Sequence, residues 1–215
     1  DIAGKNIQSS ANAVTVKGKL TVKDSTAAAE AQVEGDTVLY TSGKITAANL
    51  GLYAIEGGEI VLENGSVEST GNIVVFAQGN MTTSGDAVNS KITVKGGYIL
   101  SQEFAASAQG RGAELNIQGG VLKAKDNAVI GGNGTKKGDK DYGGTTINVS
   151  GGTMIGGIQT AGYIACGVYH PQEGTLNITG GKFQITNGVG VLIRAGSANI
   201  TGGEMFLNLH IACKG

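Results

Sequence analysis

Leu176-Asn177-Ile178-Thr179-Gly180-Gly181-Lys182-Phe183 alternates apolar and polar residues, turns on two glycines and returns to an apolar residue. The same phrase is written at Leu115-Asn116-Ile117-Gln118-Gly119-Gly120-Val121-Leu122, at Ile147-Asn148-Val149-Ser150-Gly151-Gly152-Thr153-Met154 and at Ala198-Asn199-Ile200-Thr201-Gly202-Gly203-Glu204-Met205. Weaker copies run from Ile92 to Ile99, from Ile60 to Val67 and, in degenerate form, from Val38 to Ile45 through Gly43. The second glycines fall at 43, 65, 97, 120, 152, 181 and 203, so the period varies between 22 and 32 residues.

Alternation is the strand period, so each copy sends its apolar pair to one face and its Asn, Thr or Lys residues to the other. The glycines then turn the chain, since glycine reaches φ > 0 without a Cβ clash. A second apolar stretch follows each unit: Leu52 to Ile55, Ile73 to Phe76, Phe104 to Ala106, Ala128 to Ile130, Tyr163 to Ala165, Val189 to Ile193 and Leu207 to Ile211. Two or three short strands per period make one coil of a parallel β-helix. A propeller blade needs about 40 residues or more, which the shorter periods deny. A solenoid tolerates the irregular spacing, because extra residues leave as corner loops. The longest is Gly131 to Gly144. Adding the traces at Ala13 to Val16 and Leu20 to Val22, the chain reads as an all-β, single-stranded, right-handed parallel β-helix of about eight or nine coils, roughly 40 Å long.

Stacking then predicts three interior files: Ile92, Leu115, Ile147 and Leu176; Val94, Ile117, Val149 and Ile178; and Ile99, Leu122, Met154 and Phe183. Outside, Asn116, Asn148, Asn177 and Asn199 line up, close enough for their amides to bond along the stack. A single domain over 1–215 follows, with 131–144 as a loop insertion. Neither Asp1 to Gly18 nor Phe206 to Gly215 offers a charged amphipathic helix to cap an end, which points to a fragment of a longer polypeptide or to an end covered by another chain.

Composition agrees. There are 38 glycines in 215 residues but one proline and no Gly-X-Y period, which excludes collagen and disfavours a helical bundle. A formal charge of −1 with scattered lysines gives no electrostatic footprint for nucleic acid. No apolar run is long enough for a membrane-spanning helix.

Chemistry-bearing residues are sparse. Cys166 and Cys213 occur in matching phrases, with Leu192-Ile193-Arg194 at the corresponding station between them. That alignment sets the thiols two coils apart, roughly 9–10 Å, beyond the reach of a disulfide. Free thiols are expected, and they suit assembly in a reducing compartment. The seven aspartates are dispersed, and only Asp139 and Asp141 are neighbours. They could bind calcium, but Lys136, Lys137 and Lys140 beside them oppose a cation and favour a solvated loop. No acid cluster aligns with Arg111 or Arg194, so neither a catalytic set, a metal site nor a cofactor is expected.

Gly167 to Gly174 carries Tyr169, His170 and the sole proline, and reads either as a contact loop or as a stiff proline corner. Tyr98, outward by parity, Tyr142 in the long loop and Tyr169 are the aromatic candidates for glycan contact. His170 and the polar row Asn148, Asn177 and Asn199 join them, though such a row more often only solubilises and stabilises a coil. The Asn-x-Ser/Thr tripeptides at 148, 177 and 199 arise from the repeat itself and carry no weight as glycosylation signals.

The Leu-Asn-Ile-Thr-Gly-Gly-x-Phe units, above all from Gly174 to Met205, resemble the glycine-rich β-helix repeats of bacterial surface adhesins and of tailed-phage virion appendages such as head fibres and decoration proteins. The likeness covers most of residues 18–211. It implies a non-catalytic structural or display module on a virion or on the bacterial cell exterior. Host glycan or other surface subunits would be its partners, with self-association as a further option. β-Helix polysaccharide lyases and hydrolases are the alternative, and the missing acid cluster departs from them.

Overall fold

A computed structural model describes residues 1–71, 73–156 and 165–207. The chain coils around one axis and lays its strands into three parallel sheets. Sheet 1 stacks Asn6–Ser9, Lys44–Ala47, Ser66–Ser69, Tyr98–Ser101, Val121–Ala124, Thr153–Gly156, Lys182–Ile185 and Glu204–Leu207. Sheet 2 stacks Val14–Val16, Leu52–Ala54, Ile73–Gln78, Phe104–Gln109, Ala128–Gly131, Cys166–His170 and Val189–Ile193. Sheet 3 stacks Lys19–Val22, Glu59–Leu62, Lys91–Val94, Glu114–Ile117, Thr145–Val149, Gly174–Ile178 and Ser197–Ile200. The expected parallel β-helix is therefore present, with seven three-stranded coils and the opening strand of an eighth among the described residues.

Each quoted repeat unit from Ile60 onward is the end of a sheet 3 strand, a corner, and the start of the next sheet 1 strand. The two glycines at that corner do different work. Gly181 has φ +95°, and its counterparts Gly65, Gly97, Gly120, Gly152 and Gly203 are also left-handed. Gly180 has an ordinary φ, but a Cβ there would press into the carbonyl oxygen of Ser150 on the preceding coil. One glycine thus makes the turn and the other lets two coils approach.

The interior files form as expected. Ile92 pairs in register with Leu115, Leu115 with Ile147 and Ile147 with Leu176, and the second and third files follow suit. All twelve side chains are buried. Burying such a side chain contributes roughly 1.5–3 kcal/mol before chain entropy is subtracted, so the files supply the bulk of the stabilisation. Ile7 at one end and Ile193, Ile200 and Met205 at the other are exposed, where a file has no further neighbour among the described residues.

Loops leave at corners. The segment after Lys19–Val22 holds an antiparallel hairpin, Gln32–Glu34 with Thr37–Leu39. Val38, which the repeat pattern assigns to a degenerate unit, belongs to this hairpin and not to the stack. The hairpin reaches the outside of sheet 1, where Lys123 Nζ donates to the Asp36 carbonyl. At its base Asp24 is 1% exposed and accepts from Gly4 N (2.9 Å), Thr26 N (2.9 Å), Thr26 Oγ1 (2.7 Å) and Gly43 N. Burial pushes its carboxyl up, but these bonds outweigh burial and hold it at about 2. No helix among the described residues is long and apolar enough to cross a membrane.

The division of labour at the corner is open to test. Gly180→Ala and Gly181→Ala should each lower the urea midpoint, by an amount equivalent to about 1–3 kcal/mol. Gly35→Ala, also left-handed but on the hairpin with open space at its Cβ position, should cost less than Gly180→Ala.

Candidate functional site

On the outer face of sheet 3 the amides form a continuous ladder. Asn199 Nδ2 donates to Asn177 Oδ1 (3.0 Å), Asn177 to Asn148 (2.8 Å), Asn148 to Asn116 (2.8 Å), and Asn116 to Glu114 Oε1 (2.7 Å). Glu114 is in turn paired with Lys91 at 2.9 Å. Burial alone would raise its carboxyl, but the Asn116 and Lys91 bonds and the lysine charge hold it below the ordinary value. Beside the ladder runs a row of alternating charge, Lys19, Glu59, Lys91 and Glu114, with Lys19 and Glu59 paired at 2.9 Å. Exposed pairs of this kind add little each. The row's alternation disfavours a slipped register, because slippage by one coil would set like charges side by side. The Asn148, Asn177 and Asn199 row is thus real, and one amide donor of each residue is committed to its neighbour.

The loops between sheets 2 and 3 gather into a second feature. Asn80 bridges Arg111, and Thr82 bridges Lys140. The Arg111 guanidinium donates to the carbonyls of Thr82 (2.8 Å), Ser84 (2.8 Å) and Gly85 (3.0 Å), and its Nη1 lies 3.6 Å from Asp141 Oδ2. Arg111 therefore clasps loop 79–90 to loop 131–144. Asp141 also accepts from Gly143 N at 3.0 Å, whereas Asp139 is exposed. Among the described residues no three His, Cys, Asp or Glu side chains form a metal-binding group.

Several expected contact residues are placed differently. Tyr142 is 8% exposed, because the short hairpin Lys136–Lys137 with Lys140–Asp141 folds the loop back, and Tyr142 bonds through its backbone to Thr135 and Gly110. It presents no free ring. Residues 167–170 are not a loop but part of the sheet 2 strand Cys166–His170, and Pro171 and Gln172 are buried, leaving Glu173 exposed. His170 is fully buried, so it contacts no external partner. Neither of its ring nitrogens has a hydrogen-bond partner among the described residues. Burial lowers its pKa, partly opposed by the backbone at Gly174. Tyr169 stays half-buried on the outer face, its hydroxyl 3.5 Å from Arg194 Nη1. Tyr98 is outward and half-buried, with its phenol pushed up to about 12 by burial and by the charge of Glu68.

The cysteine alignment needs correction. Cys166 pairs with Val189, while Tyr169 and His170 pair with Leu192 and Ile193. The sheet register follows the inward pair Val168 and Val191 rather than the local phrase around the cysteine. Burial pushes the Cys166 thiol up to about 12, which makes it a poor nucleophile at neutral pH. Cys213 and His210, with most of the expected apolar stretches at 163–165 and 207–211, lie outside the described residues.

Sequence reading misses the outer face of sheet 2. Tyr53 and Phe76 are register neighbours there, stacked with parallel rings and centroids 5.3 Å apart. Tyr53 Oη donates to Gln78 Oε1, Gln78 lies in register with Gln109, and Asn133 Nδ2 donates to Gln109 Oε1 at 3.0 Å. Tyr53 and Phe76 lie within the second apolar stretches and Gln78 and Gln109 just beyond them, and Phe76 and Gln109 are buried.

Two measurements check these assignments. Asn148→Ala strands an amide donor on Asn177 and an acceptor on Asn116, so the urea midpoint should fall by the equivalent of about 1–2 kcal/mol. An unchanged midpoint would show that the ladder is decorative. For His170 the folded-state pKa lies below the unfolded one, so its contribution is complete above about pH 6.5 and is lost as pH falls below it. His170→Gln should therefore lose less stability than the parent between pH 8 and pH 5, and equal losses would refute the assignment. No protein-family model, no curated protein and no solved structure matches this chain.

Proposed function

We propose that the chain is a non-catalytic structural and display module, a stiff spacer on a phage virion or a bacterial surface that presents its faces and loops to glycan or to a partner subunit. The observation that carries this reading is the continuous register of sheet 3. Loops 79–90 and 131–144 emerge at one corner, yet the sheet 3 strands that follow them stay paired residue for residue. Such a scaffold carries loops without yielding to them, which suits display. Arg111 and Asp141, the one described arginine–carboxylate pair, are occupied in holding loops together. That use supports a scaffold over a polysaccharide-cleaving site.

Incubation with polygalacturonate, xylan and neutral glucans should release no new reducing ends and no unsaturated products. Depolymerisation that disappears in Asp141→Asn or in Arg194→Ala would replace this reading with the enzymatic one.

A further inference from the structure

Loop 131–144 is held from two sides. On the side of the preceding coil Arg111 reaches Asp141, and the Gly110 and Gly112 amides donate to the carbonyls of Tyr142 (2.9 Å) and Gly144 (3.0 Å). On the side of the following coil both legs of the loop are held by Gln172 and Glu173. The Gln172 side chain is fully buried and crosses Gly132, where a Cβ would strike its Oε1. Its Nε2 thereby donates to the Ala108 carbonyl at 2.6 Å and to Thr145 Oγ1 at 3.3 Å. Glu173 N donates to Thr135 Oγ1 at 2.9 Å, and Gly144 N donates to the Glu173 carbonyl at 2.8 Å.

His170 stands two residues before Gln172, separated from it by buried Pro171. It shares the inward side of its strand with Val168 and is fully buried, and neither of its ring nitrogens nor Gln172 Oε1 has a hydrogen-bond partner. A neutral imidazole bears such a site at a cost, whereas an imidazolium there is a buried cation with neither acceptor nor counter-ion. The flanking strands Ala128–Gly131 and Val189–Ile193, and the sheet 3 strands Thr145–Val149 and Gly174–Ile178, contain no acid or base. Its own strand adds the buried Cys166 thiol and the outward Tyr169 phenol, and sheet 1 adds Lys123 and Lys182, both outward. The other charges lie at the rim: Glu173 is exposed, Arg194 is exposed beside the Tyr169 hydroxyl, and Asp141 is taken by Arg111.

From this arrangement we infer that protonation of His170 unpins loop 131–144, so that mild acid turns a held loop into a mobile one while the coils stay wound. One proton passes from solvent to a ring nitrogen, and the charged ring leaves the interior for water. The strand end moves with it, Gln172 is drawn out from across Gly132, and Glu173 lets go of Thr135 and Gly144. Arg111 then tethers the loop from the other side alone. Burial lowers the pKa of His170 below its ordinary 6.5. The pinned form is therefore complete above about pH 6.5 and is lost as pH falls below it, by up to about tenfold per pH unit. Such a switch operates whether the chain displays its loops or cleaves a polymer.

The test is hydrogen exchange read by mass spectrometry between about pH 7 and pH 5, with labelling times scaled for the pH dependence of the intrinsic rate. Protection of residues 131–145 should fall by about tenfold or more, while that of the coil 44–62, which contains no histidine, should hold. His170→Gln and His170→Phe should each abolish the pH dependence, and His210→Gln, which replaces the other histidine, should keep it. Gln172→Ala should leave the loop open already at neutral pH. Should both substitutions at 170 fail to fold, the His170 imidazole C2–H resonance, isolated in His210→Gln, decides: it must titrate below pH 6.5 and in step with the loop. Four results overturn the switch: loop protection indifferent to pH, an equal loss of protection in 44–62, a pH dependence that survives both substitutions at 170 or vanishes in His210→Gln, or a loop still protected in Gln172→Ala.

Discussion

Each coil must lie directly above the last, so that every side chain meets its own counterpart one rung away. This constraint governs the molecule. It turns aliphatic positions into files, asparagines into a ladder and alternating charges into a row of ion pairs, because all three benefit from like positions recurring at the strand spacing. It also explains the glycine pair. At the Gly-Gly corners one residue carries no Cβ to strike the carbonyl below, as at Gly180 over Ser150, and the next turns left-handed, as at Gly181. Stability in such a stack is a sum of neighbour terms, so no single coil is the core.

What the sequence discloses follows from the same constraint. Leu115, Ile147 and Leu176 align by their repeat phrases alone, since stacking forces repetition and repetition is visible. The ladder from Asn116 to Asn199 is legible for that reason. Asp24 and Arg111 are not, because their partners are mainly backbone groups of irregular loops, and no spacing rule brings Thr82, Ser84 and Gly85 to one guanidinium. The hairpin around Val38 passes for a coil because both are short alternating strands, and pairing direction leaves no trace in a single strand. Tyr142 and His170 read as exposed from their loop-like neighbourhoods, whereas a hairpin fold-back and a sheet strand bury them. The cysteine phrases mislead because similar words do not fix register, which the inward valines two residues further along the same strands set.

The three faces divide the remaining work. Sheet 3 commits its polar groups to its own cohesion, and sheet 1 is partly covered by the hairpin that Lys123 holds. Sheet 2 is the uncharged side, and its outward polar groups bond within the fold, the Tyr53 hydroxyl to Gln78 and the Gln109 amide to Ser107 and Asn133. Loops at the corner between sheets 2 and 3 are pinned by Arg111 rather than left loose.

The bonds joining the coils run nearly parallel to the long axis, so their response depends on the direction of load. Sideways bending must compress packed aliphatic files and meets stiff resistance. Tension between the two ends instead falls on the few bonds of one terminal rung at a time, and each coil of 22 to 38 residues, once peeled, frees roughly 70–130 Å of chain. A rod built this way would unwind under tension like thread from a spool, lengthening in steps while the coils still wound kept their shape.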